Sequence, residues 1–150
     1  MAVIRPFPAL RYTEACEHDW DSGAALRYYL RLKNTPELIG AVTLENCVHL
    51  HKSCDLGYWL HPRYTGRGLM TEAAQRVIRH AFDDVGFHRI RCAAGVDNQP
   101  SRAVIERLGF SFEGTARQAE RVAGRWVTHA VYARLATDAA PPLDAPKKGA

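Results

Sequence analysis

From Met70 onward, eight apolar side chains (Met70, Ala73, Ala74, Val77, Ile78, Ala81, Phe82 and Val85) fall at three-and-four spacing. Only an α-helix gathers such a pattern into one buried stripe. The residues ahead of it read differently. Ala24–Lys33 (AALRYYLRLK), Leu38–Asn46 (LIGAVTLEN) and Cys54–Leu60 (CDLGYWL) are strand-like, with a turn at Asn34-Thr35-Pro36-Glu37 and a stop at Pro62. Three consecutive strands with short links predict an antiparallel meander. Gly86 suits the helix C-terminus, and His88–Val96 reads as a strand again. Asp97-Asn98-Gln99-Pro100 is a helix-start signal, since Asn or Asp caps and Pro fits the first turn. That helix runs to Leu108 and closes at Gly109. Phe110–Glu120 and Trp126–Leu135 form two last strands, joined around Val122-Ala123-Gly124. The order predicts an α/β (α+β) fold, a mixed sheet covered by helices.

Length and charge bound the rest. At 150 residues, with 47% apolar and 24% charged, the chain is one globular domain with a real core. A net charge of +4 with scattered arginines argues against a dedicated nucleic-acid binder, while a partly basic surface suits a polyanionic ligand. No apolar run approaches the ~18 residues of a membrane span. Met1–Pro8 has neither a basic leader nor an apolar core, so the expected compartment is the cytoplasm. Cys16, Cys47, Cys54 and Cys92 form no C-x-x-C unit and read as free thiols. Ala9–Trp20 is expected to be a short helix. The domain is expected over 1–136, with Thr137–Ala150, rich in Ala, Pro and Lys, as a disordered tail.

Chemistry concentrates in His61-Pro62-Arg63-Tyr64-Thr65-Gly66-Arg67-Gly68-Leu69-Met70-Thr71. Glycines 66 and 68 let successive backbone amides turn toward one anion, and a helix start adds unpaired N–H groups with a partial positive charge. Arg63 and Arg67 can add charge at the rim. A plain strand-to-helix turn with two glycines is the alternative. No P-loop motif and no G-x-G-x-x-G is present.

Arg63-Tyr64-Thr65-Gly66-Arg67-Gly68 matches [QR]-x-x-G-x-[GA]. With Gly57-Tyr58-Trp59-Leu60, Val96-Asp97-Asn98-Gln99-Pro100-Ser101, Leu108-Gly109-Phe110 and Glu113-Gly114, the chain resembles the GNAT acetyltransferase superfamily. Within it the chain resembles the ribosomal-protein serine/alanine N-terminal acetyltransferases. The resemblance spans Ala24–Leu135 and implies a mostly antiparallel sheet flanked by helices, acetyl-CoA as co-substrate, no metal, and an N-acetyltransferase. It also implies roles residue by residue. Tyr58, Trp59 and Leu60 would offer backbone groups to the pantetheine arm. The amides of Gly66, Arg67, Gly68, Leu69, Met70 and Thr71 would hold the pyrophosphate, with Asn98 near pantetheine. Ser101 would lie near the thioester sulfur, in a helix that carries no tyrosine, and Glu120 would be the general base.

Each role has a plainer alternative. A serine near a helix start is often a capping or first-turn residue. Glu120 could face solvent beside Arg117 or Arg121. Glu72 and Glu113 are reserve bases. His49 and His51, two apart on an expected strand, share a face and could seat a metal, though a surface pair is favoured. His61 is more simply an exposed turn residue than a second base. No G-x-S-x-G elbow supports a hydrolase.

Chains of the resembled group usually begin with a strand and two helices, whereas only Met1–Gly23 precede Ala24 here. The resemblance therefore implies a shortened N-terminus and acceptor wall, which a partner subunit, as in a homodimer, could cover. The expected acceptor is an amine, either a protein N-terminus or a small molecule such as a polyamine or antibiotic. A non-catalytic acyl-CoA-binding module is the other class.

Overall fold

The computed structural model describes residues 2–5 and 23–141. The expected helix over Ala9–Trp20, Cys16, and the tail beyond 141 lie outside the described residues.

Among the described residues seven strands form one sheet, in the order β1-β2-β3-β4-β5-β7-β6. They are β1 (Ala2–Arg5), β2 (Leu26–Leu32), β3 (Leu38–Val48), β4 (Ser53–Leu60), β5 (Arg89–Gly95), β6 (Ser111–Val122) and β7 (Arg125–Leu135). β2, β3 and β4 are the expected meander, and β1, which no sequence pattern announced, adds to it antiparallel. Helix α1 (Leu69–His80) crosses over to β5, which pairs parallel to β4. After helix α2 (Gln99–Arg107), the β6–β7 hairpin returns β7 antiparallel to β5. Its turn is Ala123-Gly124, both at positive φ (47° and 78°), as a two-residue hairpin turn that matches strand twist requires.

Met70, Ala73, Ala74, Val77 and Ile78 of the stripe are buried as expected. Val85 is not, being 39% exposed. The chain widens there into a π-turn over Ala81–Val85, and the amides of Gly86 and Phe87 both donate to the Ala81 carbonyl at 3.0 Å. The wider turn rotates Val85 off the stripe. Gly86, at φ 88°, then folds Phe87 back into the core.

Directly opposed residues share a face. Tyr28, Val42, Leu44, Cys54, Leu56, Ile90, Cys92, Ala94, Ala130 and Tyr132 pack with both helices into one core. Trp59, Asp55, Arg91 and His129 belong to the opposite face, where Arg91 pairs with Asp55 at 3.2 Å. α2 is pinned to the core side by a part-buried relay. Arg102 donates to Tyr132 Oη (2.9 Å) and to the Val96 carbonyl (3.0 Å), and Tyr132 donates to Glu106 (3.1 Å).

Burial pushes the thiols of Cys54 and Cys92 up, so neither is a ready nucleophile, and both are free, as is Cys47. Ordered contacts continue past Leu135: Ala136 N donates to the His88 carbonyl at 2.8 Å, and Asp138 accepts from Leu135 N at 2.9 Å. No described helix is long and apolar enough to cross a membrane.

Gly40 on β3 exposes how closely the strands approach. A methyl there would lie 2.5 Å from the Trp59 carbonyl oxygen, a backbone atom that cannot swing aside. Gly40→Ala is expected to cost roughly 1–3 kcal/mol. Urea unfolding checks this, with the midpoint falling and the slope unchanged.

Candidate functional site

The site is assembled where the sheet comes apart. β4 and β5 pair only from Ser53–Arg89 to Leu56–Cys92, yet β4 runs on to Leu60 and β5 to Gly95. The two strands therefore leave each other along Gly57–Leu60 and Ala93–Gly95. Antiparallel partners β3 and β7 keep their outer edges bonded throughout. The result is a slot lined by main-chain groups of parallel strands.

At the mouth of the slot, β4 turns into α1. Pro62–Tyr64 form a short 3₁₀ turn, capped by His61, whose Nδ1 accepts from Arg63 N at 3.2 Å. That bond commits His61 to the turn. Gly66 and Gly68 then adopt φ 77° and 74°, and a methyl built on either meets nothing within 4 Å. α1 has no side-chain cap, and its first intrahelical bond is Glu72 N to the Gly68 carbonyl at 3.0 Å. The amides of Leu69, Met70 and Thr71 precede that bond, so they have no intrahelical acceptor. Gly66, Arg67 and Gly68 are exposed, and so is Arg63. Arg67 lies 5.6 Å from the Tyr64 ring centroid, and Tyr64 donates to Glu37 at 2.9 Å, holding the rim together. Chemically this is a run of exposed glycine-loop amides and helix-start amides with two guanidinium groups nearby in sequence, suited to a polyphosphate.

Across the slot, α2 begins. Asn98 is its cap, accepting from Ser101 N at 3.2 Å. Ser101 is therefore a first-turn residue of α2 and not its cap. Its hydroxyl meets Tyr58 Oη of β4 at 2.8 Å, while Tyr58 Oη also lies 3.3 Å from the Ser101 carbonyl. Burial raises the Tyr58 phenol above its ordinary pKa, the Ser101 bond opposing that, so it stays protonated at neutral pH.

On the opposite face, Glu120 sits after a bulge in β6, where Gln118 takes φ 48° and the register with β7 shifts. Its carboxylate lies 3.1 Å from His129 Nε2 and is paired with neither Arg117 nor Arg121 in that bond. Arg121 instead stands 5.9 Å from the Trp126 ring. His129 lies opposite Gly95, the last residue of β5, so Glu120 and Ser101 flank the same end of one strand from different sides.

The reserve carboxylates are occupied. Glu113 is held by both arms of the Arg89 guanidinium (2.8 and 2.6 Å), which keeps its carboxyl below the ordinary range. Glu72 pairs with Arg76 at 3.0 Å on the helix surface. His49 and His51 do not share a strand face. They lie in a 3₁₀ turn, where a two-residue step changes side, and His49 bonds the Gly23 carbonyl at 2.8 Å. Among the described residues no group of three or more His, Cys, Asp or Glu side chains is placed to hold a metal.

Two side-chain contacts at the site go beyond the sequence reading. Tyr58 was singled out for its backbone alone, since nothing local signals a partner 43 residues away. His129 was legible in principle. A two-residue turn at Ala123-Gly124 sets Glu120 opposite Val127, and alternation puts His129 on that same face.

The profile of the acetyltransferase (GNAT) domain matches residues 5–111. A ribosomal-protein-serine acetyltransferase of Escherichia coli (strain K12) is 33% identical over 99 residues, covering 66% of this chain and 55% of the relative. The chain spans about half the length of the curated relatives it matches. Among solved structures, the ribosomal-protein-S5-alanine acetyltransferase of Vibrio fischeri superposes with a TM-score of 0.81 at 26% identity, over 85% of this chain and 70% of that one. The microcin C7 self-immunity acetyltransferase MccE, in complex with acetyl-CoA and AMP, superposes at 0.76 with 28% identity, over 83% and 68%.

Proposed function

The chain belongs to the GNAT acetyltransferase family, and from that premise we propose that it moves the acetyl group of acetyl-CoA to a primary amine in a ternary complex. The observation that carries this is the row of amides from Gly66 to Thr71 at the mouth of the β4–β5 slot. The pyrophosphate would bind those amides, with Arg63 and Arg67 at its rim. The pantetheine arm would lie along Tyr58, Trp59 and Leu60, with Asn98 on its far side, bringing the thioester to the start of α2. No residue in this scheme calls for a metal.

The amine attacks the thioester carbon as a C–N bond forms, and the C–S pair leaves on sulfur. Glu120, beside His129, takes the amine proton, directly or through water. Main-chain donors in the slot meet the developing oxyanion, and Ser101 donates to the departing thiolate. An α-amine, with a reference pKa near ~8, sheds its proton far more easily than a lysine near ~10.4. That favours a protein N-terminus as acceptor, in keeping with relatives named for ribosomal proteins. A small amine is the second reading, favoured by likeness to the self-immunity enzyme and by a fold shared with a spermidine acetyltransferase. A second copy of the chain, in a homodimer, would stand beside the acceptor on the His129 face. The cytoplasm, where acetyl-CoA and ribosomes meet, is the proposed compartment.

Acetyl-CoA at about a hundred times its Kd is expected to raise the melting temperature by roughly 5–10 °C. Peptides with free α-amines and a polyamine panel, followed by thiol release and mass spectrometry, then identify the acceptor. Stabilisation without any acetylated product would make the chain a binding module, and no stabilisation at all would refute the cofactor assignment.

A further inference from the structure

The phenol of Tyr58 reaches from β4 to the Ser101 hydroxyl at the head of α2. We propose that Tyr58 is a positioning residue: its O–H donates to Ser101 Oγ and thereby turns the Ser101 hydroxyl proton toward the thioester sulfur. This rests on the acetyl-CoA reading above.

A serine hydroxyl has one proton and two lone pairs. If Ser101 spent its proton on Tyr58, none would face the sulfur. The direction of the bond is decided by acidity and by alternatives. A phenol is the stronger acid and the better donor, so the 2.8 Å contact runs from tyrosine to serine. Its competing acceptor, the Ser101 carbonyl, is farther away at 3.3 Å. Ser101 is released from capping because Asn98 serves α2. A hydroxyl that accepts one hydrogen bond also donates its own more strongly. Electrons and protons balance without moving the phenol proton: the C–S pair stays on sulfur as thiolate, and Ser101 Oγ–H donates to it.

The test needs no acceptor. Free CoA bound to the full chain is titrated by thiolate ultraviolet absorbance, with desulfo-CoA complexes as the blank. The thiol of bound CoA is expected to ionise about one unit below that of free CoA titrated in the same buffer. Ser101→Ala should abolish that depression. Tyr58→Phe, titrated at saturating CoA, should abolish half or more of it, and the double variant should match Ser101→Ala. Uniform 3-fluorotyrosine, a stronger donor that leaves the packing intact, should lower the bound thiol pKa further, and serves if Tyr58→Phe does not fold. An unchanged titration in Tyr58→Phe or the fluorotyrosine protein, or additive effects in the double variant, overturns the assignment. A bound thiol that titrates like free CoA overturns it too, and leaves the acetyl-CoA reading standing. Failure of CoA to bind ends both.

Discussion

Glu120→Gln is expected to lower kcat by about 100-fold or more while leaving acetyl-CoA affinity within a factor of about two. The range follows from what a positioned base contributes, about 10²–10⁴-fold, and from where Glu120 stands: on the face opposite the helices, away from the glycine loop. Its pair with His129 at 3.1 Å is on a carboxylate 58% exposed, so its loss should barely alter stability. The pH profile separates a base from a scaffold. Without the carboxylate, reaction depends on amine that has already lost its proton, so the variant's rate should climb about tenfold per pH unit until the amine's own pKa near ~8. The wild type should climb less steeply over that range. Steady-state kinetics on an α-amine peptide across pH 6–9 measures both. A variant as fast as wild type, with the same profile, removes Glu120 from the chemistry.

Gly68→Asp should separate folding from binding even more sharply. Gly68 is the N-cap of α1 at φ 74°, a conformation that Asp tolerates better than most residues, and an acidic group at a helix start is favourable. Stability is therefore expected to stay within roughly 1 kcal/mol. The same carboxylate would stand among the amides assigned to the pyrophosphate. A like charge at about 5 Å, at an effective dielectric near 20, repels by roughly 3 kcal/mol. CoA affinity should fall by about 100-fold or more, and high salt should recover part of it. Calorimetric titration of CoA alongside urea unfolding gives both numbers. Tight binding in this variant would place the diphosphate elsewhere.

Local physics explains which parts of this protein could be read from its residues. The α1 stripe, the Asn98 cap and the glycines at 66 and 68 each answer to a constraint acting within a few positions: a period, a hydrogen bond three residues long, a positive φ. The meander was legible for the same reason, because short turns fix neighbours. β1 was not, since four residues carry too little pattern, and its partner lies some 25 residues on. The π-turn was invisible because an α-helix and a widened turn want the same apolar residues, and only Val85's exposure tells them apart. His49 and His51 misled because a period of two means a shared face only in an extended chain. In the site, the glycine loop was chosen from local pattern, while the Tyr58–Ser101 and Glu120–His129 contacts depend on tertiary closure and on a bulge that shifts register.

The divergence of β4 from β5 divides labour between two kinds of inheritance. The walls of that slot are main-chain groups of β4 and β5, which every amino acid supplies alike, so drift in side chains alters those walls little. The face beyond it, bearing Trp59, His129 and Glu120, consists of side chains that a single codon change can replace. Under the proposed chemistry, such a scaffold would trade one recipient of the acyl group for another without relearning how to grip its donor.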